Sequence, residues 1–224
     1  MISGEFDLSI GSLIGFSSMS LTLLTVETNL TMPVASLITL IMVLIIGYYN
    51  GITVVKSGLP SFIITLGSLF MIRGFTIAIS KIITGRTQIG GIEESKGFNI
   101  MSSVFSNHLT IAGTNFPISI FWWMLFGVLG YFLLKHTQFG NWIFATGASQ
   151  ESAKLMGIPV QKVKISLFML TAFCSWFIAV TQVTTFGGAD VLRGEQKEFI
   201  AIIAVVIGGT LLTGGYGSII GAMI

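Results

Sequence analysis

Charged residues are scarce in this sequence. Only 9% of its 224 residues are Asp, Glu, Lys or Arg, whereas 53% are hydrophobic; a soluble domain usually carries about 25% charged residues. Too few polar side chains remain to cover the surface of a soluble protein of this length. The net charge of +2 is small, which argues against a nucleic-acid partner. The composition predicts a membrane protein with no nucleic-acid partner.

Signatures of soluble enzymes and metal sites are also missing. The single cysteine, Cys174, excludes an intrachain disulfide. The sequence contains no G-x4-G-K-[ST], no HExxH and no CxxC motif. No nucleophile stands near a base that would activate it. We therefore expect no catalytic residues, no metal site and no cofactor in this chain.

Long uncharged runs are what the sequence has instead. A spanning helix needs about 20 mostly apolar residues. Six runs approach or exceed that length: 8–26, 30–55, 57–80 interrupted by Arg73, 116–134, 165–189 and 199–224. They predict an all-α, polytopic membrane protein with about six to seven transmembrane or half-membrane helices, some of them broken. We expect one transmembrane domain over 1–224, and a longer protein of which this chain is a part.

Glycine interrupts the last run. Residues 208–218 read GGTLLTGGYGS, and each glycine weakens a helix interior by roughly 1 kcal/mol relative to alanine. We expect a helix, a break and a second helix. Such a break lines a cavity or is buried in protein. Its small residues also suit a tight helix crossing, and the two interpretations are compatible. GSLIG at 11–15 recurs as GSIIG at 217–221. This similarity indicates either a transporter built from repeated halves or a chance match between small and aliphatic residues.

Two charges stand against apolar runs. Asp7, in EFDLSIGS, is suited to cap the first helix. Alternatively, that helix begins inside the membrane, and Asp7, Ser9 and Ser12 face the path of a polar solute. Arg73 either extends its head group to the membrane interface from near a helix end or forms a buried ion pair with Asp7 or Glu198.

The polar segments 81–115 and 135–164 should lie on opposite sides of the membrane. Counting Lys56 with 135–164, and Arg193 and Lys197 with 81–115, gives five Lys or Arg residues on each side, so the positive-inside rule gives a tie. The scarcity of acids in 135–164 favours the cytoplasm only slightly. Within this segment, ESAKLMG predicts a short helix that ends at Gly157. That helix is either an interfacial connector or a docking point for a soluble partner.

Several of these stretches together resemble one family. EFDLSIGS is similar to the GIDLSVGS signature of bacterial sugar ABC-transporter permeases of the ribose, xylose, arabinose and galactoside type. GYYNG at 47–51, LPSFIITLG at 59–67 and IRG at 72–74 fit further stretches of that family. EFIAIIAVVIGGTLLTGGYGSIIGA and FGNWIFATGASQESAKLMGIPVQKVK match two more. The resemblance covers nearly the whole chain in the right order.

The resemblance implies a dimeric permease of the bacterial inner membrane that imports a monosaccharide of the ribose, xylose or galactose class. Cytosolic ATP-binding subunits would bind and hydrolyse ATP, and an extracytoplasmic binding protein would deliver the solute. Segment 135–164 would be cytoplasmic and would couple to the ATPase through Glu151, Ser152, Ala153 and Gly157. The residues implied near the translocation path are Asp7, Ser9, Ser12, Asn50, Thr65, Gly208, Gly209, Thr210, Gly214 and Gly215.

The sequence also departs from the family pattern. The family has further helices before and after the matched region, and here Asn141 replaces a frequent Arg and Ser149 a frequent Asn. Other solutes remain open, namely a branched-chain amino acid, a nucleoside or an autoinducer. A secondary transporter is a second hypothesis, although acids for ion coupling are nearly absent from the apolar runs. A membrane-embedded enzyme is a third hypothesis, and it lacks a catalytic cluster.

Overall fold

Helices make up most of the computed structural model, which describes residues 1–111 and 113–224. The first five are α1 (Ile10–Val26), α2 (Met32–Ser57), α3 (Ser61–Thr84), α4 (Phe98–Phe105) and α5 (Ile118–His136). They are followed by α6 (Gln138–Ala148), α7 (Gln150–Leu155), α8 (Val160–Phe186), α9 (Lys197–Ile207) and α10 (Ile219–Met223). Two antiparallel ribbons pair β1 (Gln88–Gly90) with β4 (Gly188–Asp190) and β2 (His108–Ile111) with β3 (Thr114–Pro117).

Helix length separates full spans from partial ones. In the described part of the chain, four helices are long and apolar enough to cross a membrane: α2, α3, α5 and α8. The helices α1, α9 and α10 have only 17, 11 and 5 residues. At 1.5 Å per residue, α1 extends about 25 Å and α9 about 16 Å, less than the ~30 Å hydrocarbon core. The prediction of an all-α polytopic protein with full and partial spans is confirmed.

The bundle is built around α1. Helices α2, α3 and α8 surround it, and apolar side chains on several of its faces, such as Leu13, Met19 and Leu21, are buried. We call the two ends of the bundle the ribbon end and the α7 end. The ribbon end holds the β1–β4 pair, α4 and the last turn of α1. The α7 end holds α6, α7 and the turn between α2 and α3.

Two chain segments enter the bundle from its ends. Ser9, just before α1, contacts Asn50, which stands seven residues, or about 10 Å, before the α2 terminus at the α7 end. From the ribbon end, segment 187–196 descends along α1, so that the carbonyl oxygens of Val191 and Arg193 lie against Gly15. The Gly194 carbonyl lies against Gly11. The first turns of α1 and α9 therefore meet inside the bundle.

The glycine-rich break is present. Helix α9 ends at Ile207 and α10 begins at Ile219, while Gly209, Gly214 and Gly215 take positive φ angles of 83°, 87° and 78°. The break packs closely, because the Gly215 N–H donates to the Ile2 carbonyl at 2.8 Å. The repeated motif is not in register, since Ser218 caps α10 whereas Ser12 lies inside the first turn of α1.

Candidate functional site

A chain of polar side chains crosses the bundle at the start of α1. Asp7 Oδ2 accepts a hydrogen bond from Thr171 Oγ1 of α8 at 2.5 Å. Asp7 Oδ1 accepts from Ser9 Oγ at 2.6 Å and from the Ser9 N–H at 3.0 Å. Asn50 of α2 donates to Ser9 Oγ at 3.0 Å and accepts from Ser68 of α3 at 2.8 Å. These hydrogen bonds therefore connect α2, α3 and α8 to the segment that leads into α1.

The position of Asp7 differs from the predicted helix cap. Helix α1 begins at Ile10, and Ser9 occupies the cap position without a side-chain cap bond. Asp7 lies two residues earlier and accepts from Ser9, in the turn that precedes the helix. The prediction that Asp7 is the N-cap residue of α1 is therefore wrong, because Ser9 holds that position. Asp7 shapes the turn into α1 and uses its second oxygen to hold α8.

The segment before α1 takes its remaining partners from α3. The Phe6 N–H donates to Ser61 Oγ at 2.9 Å, and the Leu8 N–H donates to Thr65 Oγ1 at 3.1 Å. Ser12 Oγ donates to the Ser9 carbonyl at 2.8 Å. Buried N–H groups need such partners, because an unpaired one is costly. Thr65 and Ser12 therefore hold the entry to α1 in place.

A cavity of about 340 Å³ adjoins this network, and we call it the inner cavity. Its walls come from the segment before α1 and from α5, α8, α9 and α10. Asp7 and Thr171 bring polar atoms to a wall that is otherwise mostly apolar. Ser9, Ser12, Asn50 and Thr65 are buried beside them. Thr171 was not predicted, and its only signal is a hydroxyl within the apolar run 165–189.

Charged residues gather on the other side of the α1 start. Arg73 Nη1 lies 3.2 Å from Glu195 Oε1, with the arginine side chain 17% and the glutamate 47% exposed. The predicted partners, Asp7 and Glu198, are both wrong. Arg73 also stands midway along α3, about three turns from either end, so it is not the near-terminal arginine that the sequence indicated. Glu195 escaped prediction because 187–197 read as an exterior loop.

Glu198 sits where two helices begin. It belongs to the first turn of α9, is 3% exposed, and its Oε2 has no hydrogen-bond partner within the described residues. Its carboxylate lies against Gly11 in the first turn of α1. Burying a carboxylate is costly, and the positive ends of two helix dipoles offset part of that cost. The meeting point of α1 and α9 thus carries a buried acid.

The predicted path residues of the glycine break lie near the α7 end. Gly208 packs against the Gly221 backbone, and Gly214 packs against Gly4. Thr210 is buried, and its hydroxyl has no partner among the described residues. Gly209, by contrast, has no atom within 4 Å of an added methyl group, and Leu211, Leu212 and Tyr216 are exposed. The break is thus packed at some residues and open at others, and its place on the solute path stays a prediction.

The predicted coupling segment forms an exposed helical corner. Ser149 caps α7 by accepting the Ser152 N–H at 3.3 Å, a role that serine fills as well as asparagine. Ala153 is fully buried. Beyond it, Leu155 is 90% and Met156 68% exposed.

Gly157 ends this corner with a φ of 79° and no neighbouring atom within 4 Å of an added methyl group. Glu151 and Ser152 are exposed. The short helix ending at Gly157 is confirmed, and the side chains at its end are free to contact a partner.

Comparisons with known proteins identify the family. Residues 1–224 match the family described as branched-chain amino acid transport system / permease component. The chain belongs to this permease family. The resemblance to ABC-importer permeases is thereby confirmed.

Individual relatives agree with this assignment. The autoinducer 2 import system permease protein LsrD of Photorhabdus laumondii is 34% identical over 99% of this chain and 64% of its own length. The protein of the same name from Escherichia coli K12 is 33% identical over 100% of this chain and 66% of its own length. The chain therefore spans slightly less than two thirds of these curated relatives. No solved structure matches the chain.

Proposed function

We propose that this chain forms the core of the membrane subunit of an ATP-driven importer for a small sugar-like solute in the bacterial inner membrane. The observation that carries the proposal is the match of a transport permease family to all 224 residues. The relatives named as autoinducer 2 import permeases make autoinducer 2 the first solute to test. Monosaccharides of the ribose, xylose and galactose class are the second.

The site suits a solute that carries hydroxyl groups. Asp7 and Thr171 place a carboxylate and a hydroxyl at the wall of the inner cavity, and such groups accept and donate hydrogen bonds to a polyol. Intramembrane ionisable residues commonly mark solute pathways, and the Arg73–Glu195 pair and Glu198 lie beside the same helix start. We assign the solute path to the region where α1 and α9 begin.

The fold supports a cytoplasmic α7 end. The lysines at that end are Lys56, Lys135, Lys154, Lys162 and Lys164. The basic residues at the ribbon end are Lys81, Arg86 and Lys96. Arg193 adds a fourth, since its Nη1 donates to the Gly188 carbonyl of β4, whereas Lys197 belongs to the first turn of α9 inside the bundle. Five basic residues against four favour the α7 end as the cytoplasmic side by a narrow margin, and the family resemblance implies the same orientation.

The cytoplasmic orientation supplies a place for the ATPase. We assign docking to α7 and its exposed corner, with Glu151, Ser152 and Gly157 at the contact and Ala153 anchoring the corner on the bundle. An extracytoplasmic binding protein would deliver solute at the ribbon end. A second permease copy would complete the membrane unit, as the family resemblance implies.

The test is uptake into proteoliposomes that contain the complete permease, its ATP-binding subunit and its binding protein. We expect uptake of labelled autoinducer 2 or ribose only when ATP is present on the side of the membrane where the ATP-binding subunit lies. A proton or sodium gradient without ATP should drive none. Uptake driven by an ion gradient alone would replace this proposal with a secondary transporter.

A further inference from the structure

Glu5 and Phe6 separate two cavities. They line the inner cavity, and they also line a second cavity of about 590 Å³, which we call the outer cavity. The outer cavity lies at the α7 end, between the α2–α3 turn at Gly58–Ser61, Gln150 and Lys154 of α7, and Lys164 of α8. Two side chains and their backbone therefore stand between a space that α5, α8 and α9 line and a space beside the proposed ATPase contact.

The strap formed by residues 5–9 is held by side chains rather than by a backbone ladder. On one side, Ser61 and Thr65 of α3 accept its N–H groups. On the other side, Lys164 of α8 pairs with Glu5, and Thr171 bonds Asp7. Lys164 and Thr171 are two turns apart on α8, so both lie on the same face. Each tether can be released without unfolding a helix or a strand.

The tether at Glu5 is a buried ion pair. The side chains of Lys164 and Glu5 are only 10% and 12% exposed. A buried pair contributes little net stability, but removing one partner leaves an uncompensated charge and is strongly destabilising. The closed position of the strap should therefore depend on Lys164 far more than on the exposed Lys162 nearby.

The same lysine is close to the proposed coupling corner. Lys164 stands in the second turn of α8, which follows α7 after Gly157, Ile158 and Pro159. The Ile158 N–H donates to the Ala153 carbonyl at 3.0 Å, which ties the connection to α7. A displacement of α7 would therefore act on the start of α8, where Lys164 stands.

We propose that the Glu5–Lys164 ion pair is the latch of a cytoplasmic gate formed by Glu5 and Phe6. With the latch closed, the strap seals the inner cavity from the outer one. When α7 moves, Lys164 withdraws from Glu5, the strap shifts, and the two cavities join into an exit route. This inference rests on the proposed function, because a gate requires a solute path.

Thiol accessibility tests the latch without any solute or ATP. In a complete permease whose cysteines are all replaced, Cys174→Ser among them, Leu167→Cys places a single reporter thiol on the inner cavity wall. A membrane-impermeant maleimide is applied to the α7 end in inverted vesicles that hold the assembled complex. We expect Lys164→Met to raise the labelling rate by on the order of tenfold or more, and the matched Lys162→Met to leave it unchanged.

Two further variants make the result decisive. The exchange Glu5→Lys with Lys164→Glu should restore slow labelling, because it restores the pair. If Lys164→Met is lost from the membrane, Glu5→Gln gives the same comparison with nearly unchanged side-chain volume. Equal labelling rates in the Lys164 and Lys162 variants would overturn the latch. Because no uptake is measured, a failed transport assay and a failed latch are told apart.

Discussion

The close approach of α1 and α9 predicts a large effect from one added methyl group. Gly11→Ala would place its Cβ in overlap with Glu198 Oε2 and 2.6 Å from the Gly194 carbonyl oxygen. Glu198 Oε2 is the end of a flexible side chain and can move away. The Gly194 oxygen belongs to the backbone, so segment 187–196 itself must shift away from α1.

The magnitude follows from two opposing effects. Alanine in place of glycine favours a helix by roughly 1 kcal/mol, whereas overpacking costs typically about 1–3 kcal/mol. A backbone oxygen cannot yield by changing rotamer, so the cost should lie at the upper limit and the net loss near ~2 kcal/mol. For a domain of about 150–250 residues, that loss would lower the melting temperature by about 4–8 °C, and the longer complete permease should show a smaller shift of the same sign.

Two glycines of α3 provide matched controls. Gly67→Ala and Gly74→Ala meet no atom within 4 Å, so they gain helix propensity without overlap and should leave the melting temperature unchanged or slightly raised. The assay is thermal denaturation of the detergent-purified complete permease, in which the loss of soluble protein is measured as the temperature rises. A Gly11→Ala variant as stable as the α3 controls would refute the contact between the two helix starts.

Two further perturbations test the charges and the coupling corner. Arg73→Ala should lower the membrane abundance of the protein, because Glu195 then stands unpaired at membrane depth, opposite the middle of α3, and the double exchange Arg73→Glu with Glu195→Arg should restore it on an immunoblot. No recovery in the exchanged pair would argue against the ion pair. Gly157→Trp should abolish solute-stimulated ATP hydrolysis at normal abundance, whereas Gly85→Trp, with a similar φ of 70° and equally open surroundings at the ribbon end, should preserve it. Equal stimulation in both variants would remove α7 from the ATPase contact.

Composition and run length predict much of the helical framework. Six uncharged runs correspond to α1, α2, α3, α5, α8 and the α9–α10 pair, because apolar length is a local property of the chain. The glycine break was predictable for the same reason, since backbone propensity acts within a few residues. Helix α7 was found from its terminal glycine and the proline that follows.

The depth of each charge was not predictable. Segment 187–197 holds several polar residues and reads as an exterior loop, yet its carbonyls lie against Gly15 and Gly11. Its entry into the bundle depends on α1 lacking side chains at those two positions, which is a contact between distant parts of the chain. The partner of Arg73 was missed for that reason. The same contact places Glu198 at the first turn of α1.

The polar network shows an intermediate case. Asp7, Ser9, Asn50 and Thr65 were grouped from motifs that the family resemblance supplied, and the fold brings them together within hydrogen-bonding distance of one another or of shared neighbours. Ser68 and Thr171 complete the network but carry no sequence signal beyond a hydroxyl in an apolar run. Hydroxyls of this kind usually bond to the carbonyl one turn earlier in their own helix, so their role appears only when the helices are packed.

The Asp7→Asn variant tests the central claim, that the solute path passes the start of α1, most directly. Asparagine retains the oxygen that accepts from Ser9, and the Thr171 hydroxyl keeps the Phe168 carbonyl at 2.9 Å as an acceptor. The turn into α1 should therefore survive, and protein abundance should stay normal. The cavity wall keeps Glu5 but loses the charge at Asp7, so ATP-dependent uptake should fall by on the order of tenfold or more, as expected for one lost hydrogen bond to a charged group. Normal uptake at normal abundance would contradict a role for Asp7 in the path, and a loss of abundance with proportional uptake would make the residue purely structural.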